Sequence, residues 1–203
     1  GKSQNRLKAM PEESSENTES IEVSEPVETS VVINLVQQEY PAAILSTHRH
    51  RGDETIVLKR EFIQPVCRLL RNHPDCQFEM MVDLTAVDYL LLETNLQQTA
   101  RFEVVYHLRS LSKDRRIRLK CPVPEDDCQI PSIHMLWDAV NWYERECYDM
   151  YGIHFEEHPN LTRILMYEQF QGHPLRKDYP MDKQQPLLEL NDVEERYHYG
   201  RFE

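Results

Sequence analysis

His154-Phe155-Glu156-Glu157-His158 carries the most overt chemistry in this chain. It fits the H-x-x-E-H pattern of inverted zinc peptidases, where two histidines on one helical face ligate the metal and the glutamate serves as general base. That spacing works only on a helix. Gly152, two residues ahead of the motif, favours a helix stop, and Pro159, directly after it, pushes His158 out of helical backbone. The pair is therefore expected at a fixed loop corner, and a zinc hydrolase is only a remote alternative.

Three carboxylates, Glu144, Glu146 and Asp149, form the second candidate group. Acid–base work needs two of them converging on a substrate, but at about 100° per residue they point in different directions. The five cysteines, Cys67, Cys76, Cys121, Cys128 and Cys147, include no CxxC pair. They read as free thiols of a reducing compartment rather than as disulfides, a zinc site or a cluster site. With only five glycines, the chain has no phosphate loop and no dinucleotide fingerprint. The expectation is a chain with no catalytic residue, metal or cofactor of its own.

The element that must position these groups is read as one helix from Ser132, an N-cap after Pro131, to Gly152. Ile133, Leu136, Trp137, Val140, Tyr143, Cys147, Met150 and Tyr151 recur at helical spacing as an apolar stripe. Two residues break the pattern. Glu144 falls inside the stripe, so it is expected to be buried and paired with a cation, Arg163 or Arg176. Trp142 falls on the polar face among Asp138, Arg145, Glu146 and Asp149, where an exposed aromatic in a charged rim suggests an interface anchor. Beyond the helix, Arg163, His173, Arg176 and Lys177 lie between Pro159 and Pro180. In an acidic protein, such a basic loop suggests docking to acidic groups of a partner.

The rest of the chain supplies one core. Val31, Val32, Leu35 and Val36 suggest a short helix ending before Pro41. Ala42 to Leu45 and Thr55 to Leu58 suggest a hairpin, and Glu61 to Asn72 a second helix. Strands are expected at Phe78 to Leu84, Arg101 to Arg109 and Arg116 to Lys120, the last two joined by a turn through Ser112-Lys113-Asp114. The acidic loop Cys121 to Pro131, with three prolines, is expected to be irregular. The resulting class is α+β, two-layer, with a mixed or antiparallel sheet and helices on one face.

Three segments follow: a disordered acidic leader (1–30), the folded domain (31–185) and an extended partner-binding tail (186–203). The leader holds seven glutamates against Lys2, Arg6 and Lys8, unlike an Arg-rich mitochondrial presequence. Net charge is −12, which argues against nucleic acid as a partner. No apolar run approaches the ~18 residues of a membrane span.

Glu144-Arg145-Glu146, Asp149-Met150-Tyr151-Gly152-Ile153, Phe155, His158-Pro159, Leu161, Arg163-Ile164-Leu165 and Gly172-His173-Pro174-Leu175-Arg176-Lys177-Asp178-Tyr179-Pro180 closely resemble the signature of the thirty-kilodalton subunit of respiratory complex I, the C-type subunit of NADH:quinone oxidoreductase. Asp83 to Tyr89 also resembles a family element, so the likeness runs from about Val31 to Pro180. One position departs: the family usually has two arginines after Leu161, and here the first is Thr162.

The resemblance implies a structural and assembly subunit of a proton-pumping oxidoreductase. Trp142, Glu144, Arg145, Glu146, Asp149, His158, Arg163, His173, Arg176, Lys177 and Asp178 would be interface or structural residues. Partners would be the large quinone-site subunit and adjacent iron–sulfur subunits of the hydrophilic arm, with FMN, clusters and quinone held there. The implied location is peripheral, on the cytoplasmic face of a bacterial inner membrane or the matrix side of the mitochondrial inner membrane. A related membrane hydrogenase or another quinone-linked dehydrogenase is the alternative host.

Overall fold

The structure, a computed structural model, describes residues 30–91 and 100–186. The expected acidic leader and partner-binding tail, apart from Ser30 and Pro186, lie outside those residues.

Helix α1 (Val31–Glu39) starts where Ser30 Oγ accepts the Val32 N–H. A hairpin follows, β1 (Ile44–His50) and β2 (Asp53–Leu58), turned at Arg51-Gly52 in positive-φ backbone. A 3₁₀ turn (Arg60–Phe62) leads into α2 (Ile63–Asn72), which buries Ile63, Val66, Cys67 and Leu70. Strands β3 (Met80–Asp88), β4 (Phe102–Ser110) and β5 (Arg115–Val123) complete a five-stranded sheet in the order β1-β2-β5-β4-β3. The β2–β5 pair is parallel and the other neighbours are antiparallel, so the sheet is mixed.

The alternation along these strands makes the layer. Leu84 and Ala86 on β3, Val104, Tyr106 and Leu108 on β4, and Ile117, Leu119 and Cys121 on β5 point into one core with α1 and α2. The α+β, two-layer reading therefore holds. All five cysteines are free thiols, four of them buried. Among the described residues no helix is long and apolar enough to cross a membrane.

Two expectations need correction. The stretch from Cys121 to Pro131 is only partly irregular: β5 runs on to Val123, and β6 (Gln129–Pro131) pairs in parallel with β7 (His154–Glu156). The helix also begins seven residues later than expected, with α3 spanning Val140–Tyr151 after an N-cap at Ala139 rather than Ser132. Ser132 does not cap it: its hydroxyl donates to Glu144 while its oxygen accepts the His134 N–H at 3.2 Å, and residues 132–139 run in turns ahead of the helix. Ile133, Leu136 and Trp137 are buried all the same, and Trp137 Nε1 donates to the Glu79 carbonyl at 3.0 Å.

Candidate functional site

Helix α3 lies along the edge strand β3. Tyr143 Oη donates to the Val82 carbonyl at 3.4 Å, and the Cys147 thiol donates to that of Leu84 at 3.9 Å. The apolar stripe faces this strand and the core, which settles where the pattern-breaking residues go.

Glu144 is buried, with 0% exposure, but among the described residues no arginine pairs with it. Its carboxyl accepts from Ser132 Oγ and, at 2.8 Å, from the Ile133 N–H. Burial pushes its pKa up to about 7, against the lowering effect of those two hydrogen bonds. The expected pairing with Arg163 or Arg176 is thus overturned. A carboxyl that gains its proton near neutrality needs hydrogen-bond partners rather than a counter-charge.

His158 closes the pocket around Glu144, with Nε2 3.9 Å from Oε2. Its Nδ1 accepts the Asn160 N–H at 3.1 Å, so Nε2 carries the hydrogen and donates to the Asn141 carbonyl at 3.3 Å. Burial lowers its pKa more than the Asn141 bond raises it, which keeps the ring neutral. His154 stands exposed on β7, and Glu157 turns the chain in left-handed backbone before His158. The H-x-x-E-H residues therefore share no helical face, in keeping with the flanking Gly and Pro.

Asp149 corrects the helical projection. Expected on the wet side, it is 0% exposed, because the loop after β7 folds back over it. Oδ2 accepts the backbone N–H groups of Ile164 (3.1 Å), Leu165 (2.8 Å) and Met166 (2.9 Å), and Oδ1 accepts from Arg163 Nη1 at 2.8 Å. Burial alone would raise this carboxyl; the three N–H groups and the guanidinium outweigh it and hold it below the usual range.

The basic loop also turns inward. Arg163 gives its second nitrogen to the Gly172 carbonyl at 3.0 Å. His173 donates from Nδ1 to the Asp149 carbonyl at 3.0 Å, and Arg176 donates from Nε to the Tyr151 carbonyl at 2.6 Å. Of the four cations expected to face a partner, only the Lys177 side chain belongs to an exposed residue. Asp178 accepts from Arg101 Nη2 at 2.7 Å.

Arg101 and Asp88 are the members that helical and strand periodicity do not single out. The Arg101 side chain is 8% exposed and binds both Asp88 oxygens, Asp178 and Glu125, with its guanidinium 4.9 Å from the Phe102 ring. Asp88 also accepts the Lys177 N–H at 2.9 Å, which pins the end of the loop to β3. A signal does exist: Leu84, Ala86 and Asp88 share the inward parity of β3, so the strand carries an acid where an apolar residue belongs.

What remains outward is the free side of α3. Trp142 is 61% exposed, with the Arg145 guanidinium 5.0 Å from its ring and exposed Glu146 one turn on. Arg145 is steadied by the Thr162 carbonyl and hydroxyl, both at 3.0 Å. Thr162 thus serves as an acceptor for Arg145 at the position where the resemblance leads one to expect a further arginine.

These contacts define an α+β module whose buried charges fasten a long loop to one helix and leave an aromatic on that helix uncovered. The family described as "Respiratory-chain NADH dehydrogenase, 30 Kd subunit" matches residues 56–185, and the chain belongs to that family. The C-type subunit of the NADH-quinone oxidoreductase of Citrifermentans bemidjiense is 46% identical over 146 residues, covering 72% of this chain and 86% of the relative. That of Hyphomonas neptunium is 40% identical over 164 residues, covering 81% and 77%. Among solved structures, a trypsin-resistant fragment of Nqo5 aligns with a TM-score of 0.53 at 30% identity, over 64% of this chain and 99% of the fragment. A chain of an archaeal respiratory complex, the membrane-bound sulfane sulfur reductase, aligns with a TM-score of 0.58 over 85% and 93%; at 21% identity it speaks for the fold alone.

Proposed function

We propose that this chain is a cofactor-free structural subunit in the hydrophilic arm of a proton-pumping NADH:quinone oxidoreductase. It docks to the large quinone-site subunit and to neighbouring iron–sulfur subunits, which hold the FMN, clusters and quinone. Its place is peripheral, on the cytoplasmic face of a bacterial membrane or the matrix side of a mitochondrial one. Family membership supports the complex, and the inward fastening of Asp149, Arg163, His173 and Arg176 supports a scaffolding role.

The observation that carries the docking claim is Trp142. A tryptophan 61% exposed on a helix otherwise well packed contributes little to folding, whereas Trp and Arg dominate protein–protein hot spots. Arg145 over its ring and Glu146 beside it supply a charged rim. Trp142→Ala in the native complex is expected to weaken association by about 2 kcal/mol or more. The free subunit should change by no more than roughly 0.5 kcal/mol. Affinity purification in mild detergent reads the first, and a denaturant melt reads the second. Normal assembly of the variant, or a destabilised free subunit, would refute the docking face.

A further inference from the structure

His158 ties helix α3 to the loop that returns over it. Its Nε2 donates at 3.3 Å to the carbonyl of Asn141, the residue before Trp142, and its Nδ1 accepts the Asn160 N–H at 3.1 Å. From Asn160 the contacts run on without a break. The Asn160 carbonyl accepts the Thr162 N–H at 3.0 Å. The Thr162 carbonyl and hydroxyl each accept from Arg145 at 3.0 Å, and the Arg145 guanidinium stands 5.0 Å from the Trp142 ring. One imidazole thus holds the helix turn beside the exposed tryptophan and starts the path that steadies the arginine over it.

This grip depends on the ring being neutral. With Nε2 already carrying a hydrogen, a further proton goes to Nδ1, where it faces the Asn160 N–H, donor against donor. The Asn160 bond is then lost, while the bond to Asn141 stays. Nothing near the ring balances the new charge. Its side chain is 0% exposed, and among the described residues the only carboxylate in ion-pair reach is Glu144, with Oε2 at 3.9 Å. Below about pH 7 Glu144 carries a proton of its own. Glu157, next in sequence, is exposed. The other titratable or charged groups facing the ring are His134, with ring centroids 5.6 Å apart, and Arg145 on α3, and neither balances a cation. Burial accordingly lowers the pKa of His158. In the unfolded chain such a ring takes its proton near about pH 6.5. In the fold it does so only in more acid solution, at a cost to stability that opening of the turn relieves.

We propose that His158 is a pH-sensitive latch: a proton on Nδ1 releases the Asn160 turn, and with it the Thr162 acceptors that hold Arg145 against Trp142. The Trp142–Arg145 patch is therefore ordered in neutral solution and loosened in acid. The latch needs no partner; its effect on assembly rests on Trp142 being the docking anchor. One pH unit below the native pKa of the ring, about a tenth of the chains keep the latch closed, and association through the patch weakens roughly tenfold.

The test follows the full chain by nitrogen–proton correlation spectra from about pH 7.5 to about pH 5.5, the range in which a histidine of lowered pKa begins to charge. The chain has two tryptophans, so two indole N–H signals appear. That of Trp137, bound to the Glu79 carbonyl, serves as the fixed reference. The Trp142 indole and the Thr162 amide should shift together, with the midpoint of the His158 ring, while the Trp137 signal stays. His158→Asn keeps an oxygen placed to accept the Asn160 N–H as an Asx turn and has no proton to gain. It should hold the neutral positions throughout. Capture of partner subunits in mild detergent should fall roughly tenfold in the parent over the same range and stay level in the variant. A Trp142 indole that does not move while the His158 ring titrates would overturn the proposal. So would a shift that persists in His158→Asn, or cooperative unfolding before any shift. Shifts in the parent alone, with capture unchanged, would leave the latch standing and strike Trp142 as the docking anchor.

Discussion

Arg163 reaches across fourteen residues to place Nη1 2.8 Å from Asp149 Oδ1, while the three residues after it, Ile164 to Met166, turn their N–H groups onto Oδ2. One buried carboxylate therefore organises the return of the loop over α3. This is the geometry of an anion nest whose anion belongs to the protein itself.

Asp149→Ala should cost about 3 kcal/mol or more, since it strands a mostly buried guanidinium and three N–H groups. A denaturant melt measures it. The native pKa of this carboxyl is depressed, so its contribution is fully present above the unfolded value of about 3.9 and lost as pH falls through the lower native value. The acid limb of the parent's stability curve should therefore flatten in the variant. A parent-minus-variant difference that stays constant as pH falls through the acid limb would contradict the assignment.

Arg101→Lys should be far from conservative. A lysine cannot bridge Asp88, Asp178 and Glu125 or stack on Phe102 as the planar fork does. We expect a loss of about 3 kcal/mol from the buried Asp88 pair. The amide of Lys177, bound to Asp88, should exchange its hydrogen faster than amides of β4. Unchanged protection of that amide would refute the clamp.

How much of this is legible in the sequence depends on whether a residue's burial is decided locally. The burial of Glu144 and the exposure of Trp142 follow from helical spacing, because α3 packs against its neighbours through one stripe. Asp149 projects onto the wet face because what buries it comes from residues 163–166, a return that no periodicity reports. Ser132 resembles an N-cap because a serine after a proline before an apolar stripe has that pattern; in the fold its oxygen accepts the His134 N–H in a turn and its hydroxyl donates to the buried Glu144 twelve residues later, which no local pattern reports. The β6–β7 pair is invisible for the same reason as Asp149, since Gln129 and His154 meet only in the fold. The resemblance names Asp149 and Asp178 as signature residues without saying that their work is internal.

Gly152 ends α3 at φ 75°, in the left-handed region. A Cβ there would stand 2.6 Å from His173 Nε2 and 2.8 Å from an Arg176 nitrogen. Gly152→Ala thus combines backbone strain of about 1–2 kcal/mol with displacement of two side chains that tie the loop to the helix. A loss above about 2 kcal/mol in a denaturant melt is expected. A loss no larger than the strain would mean that His173 and Arg176 can move aside freely.

Glu144 offers the sharpest test, because it links pH to stability with a sign opposite to that of Asp149. Its pKa rises from 4.5 to about 7 on folding, chiefly through burial. Below pH 4.5 it is protonated in both states, and the shift costs nothing. Between about 4.5 and 7 the unfolded chain gives up its proton while the folded chain keeps it, so stability falls as pH rises; above 7 the penalty is constant. At 1.36 kcal/mol per pH unit the full penalty is on the order of 3 kcal/mol. Glu144→Gln retains a carbonyl to accept from Ser132 or Ile133 but has no proton to lose. Relative to the parent, it should therefore gain roughly 2–3 kcal/mol between pH 4.5 and pH 8 in denaturant melts run side by side. The background titration of the other carboxylates and histidines is common to both proteins and drops out of the difference. A parent-minus-variant difference that stays flat across this interval would mean that Glu144 is ionised in the fold and that a cation reaches it after all.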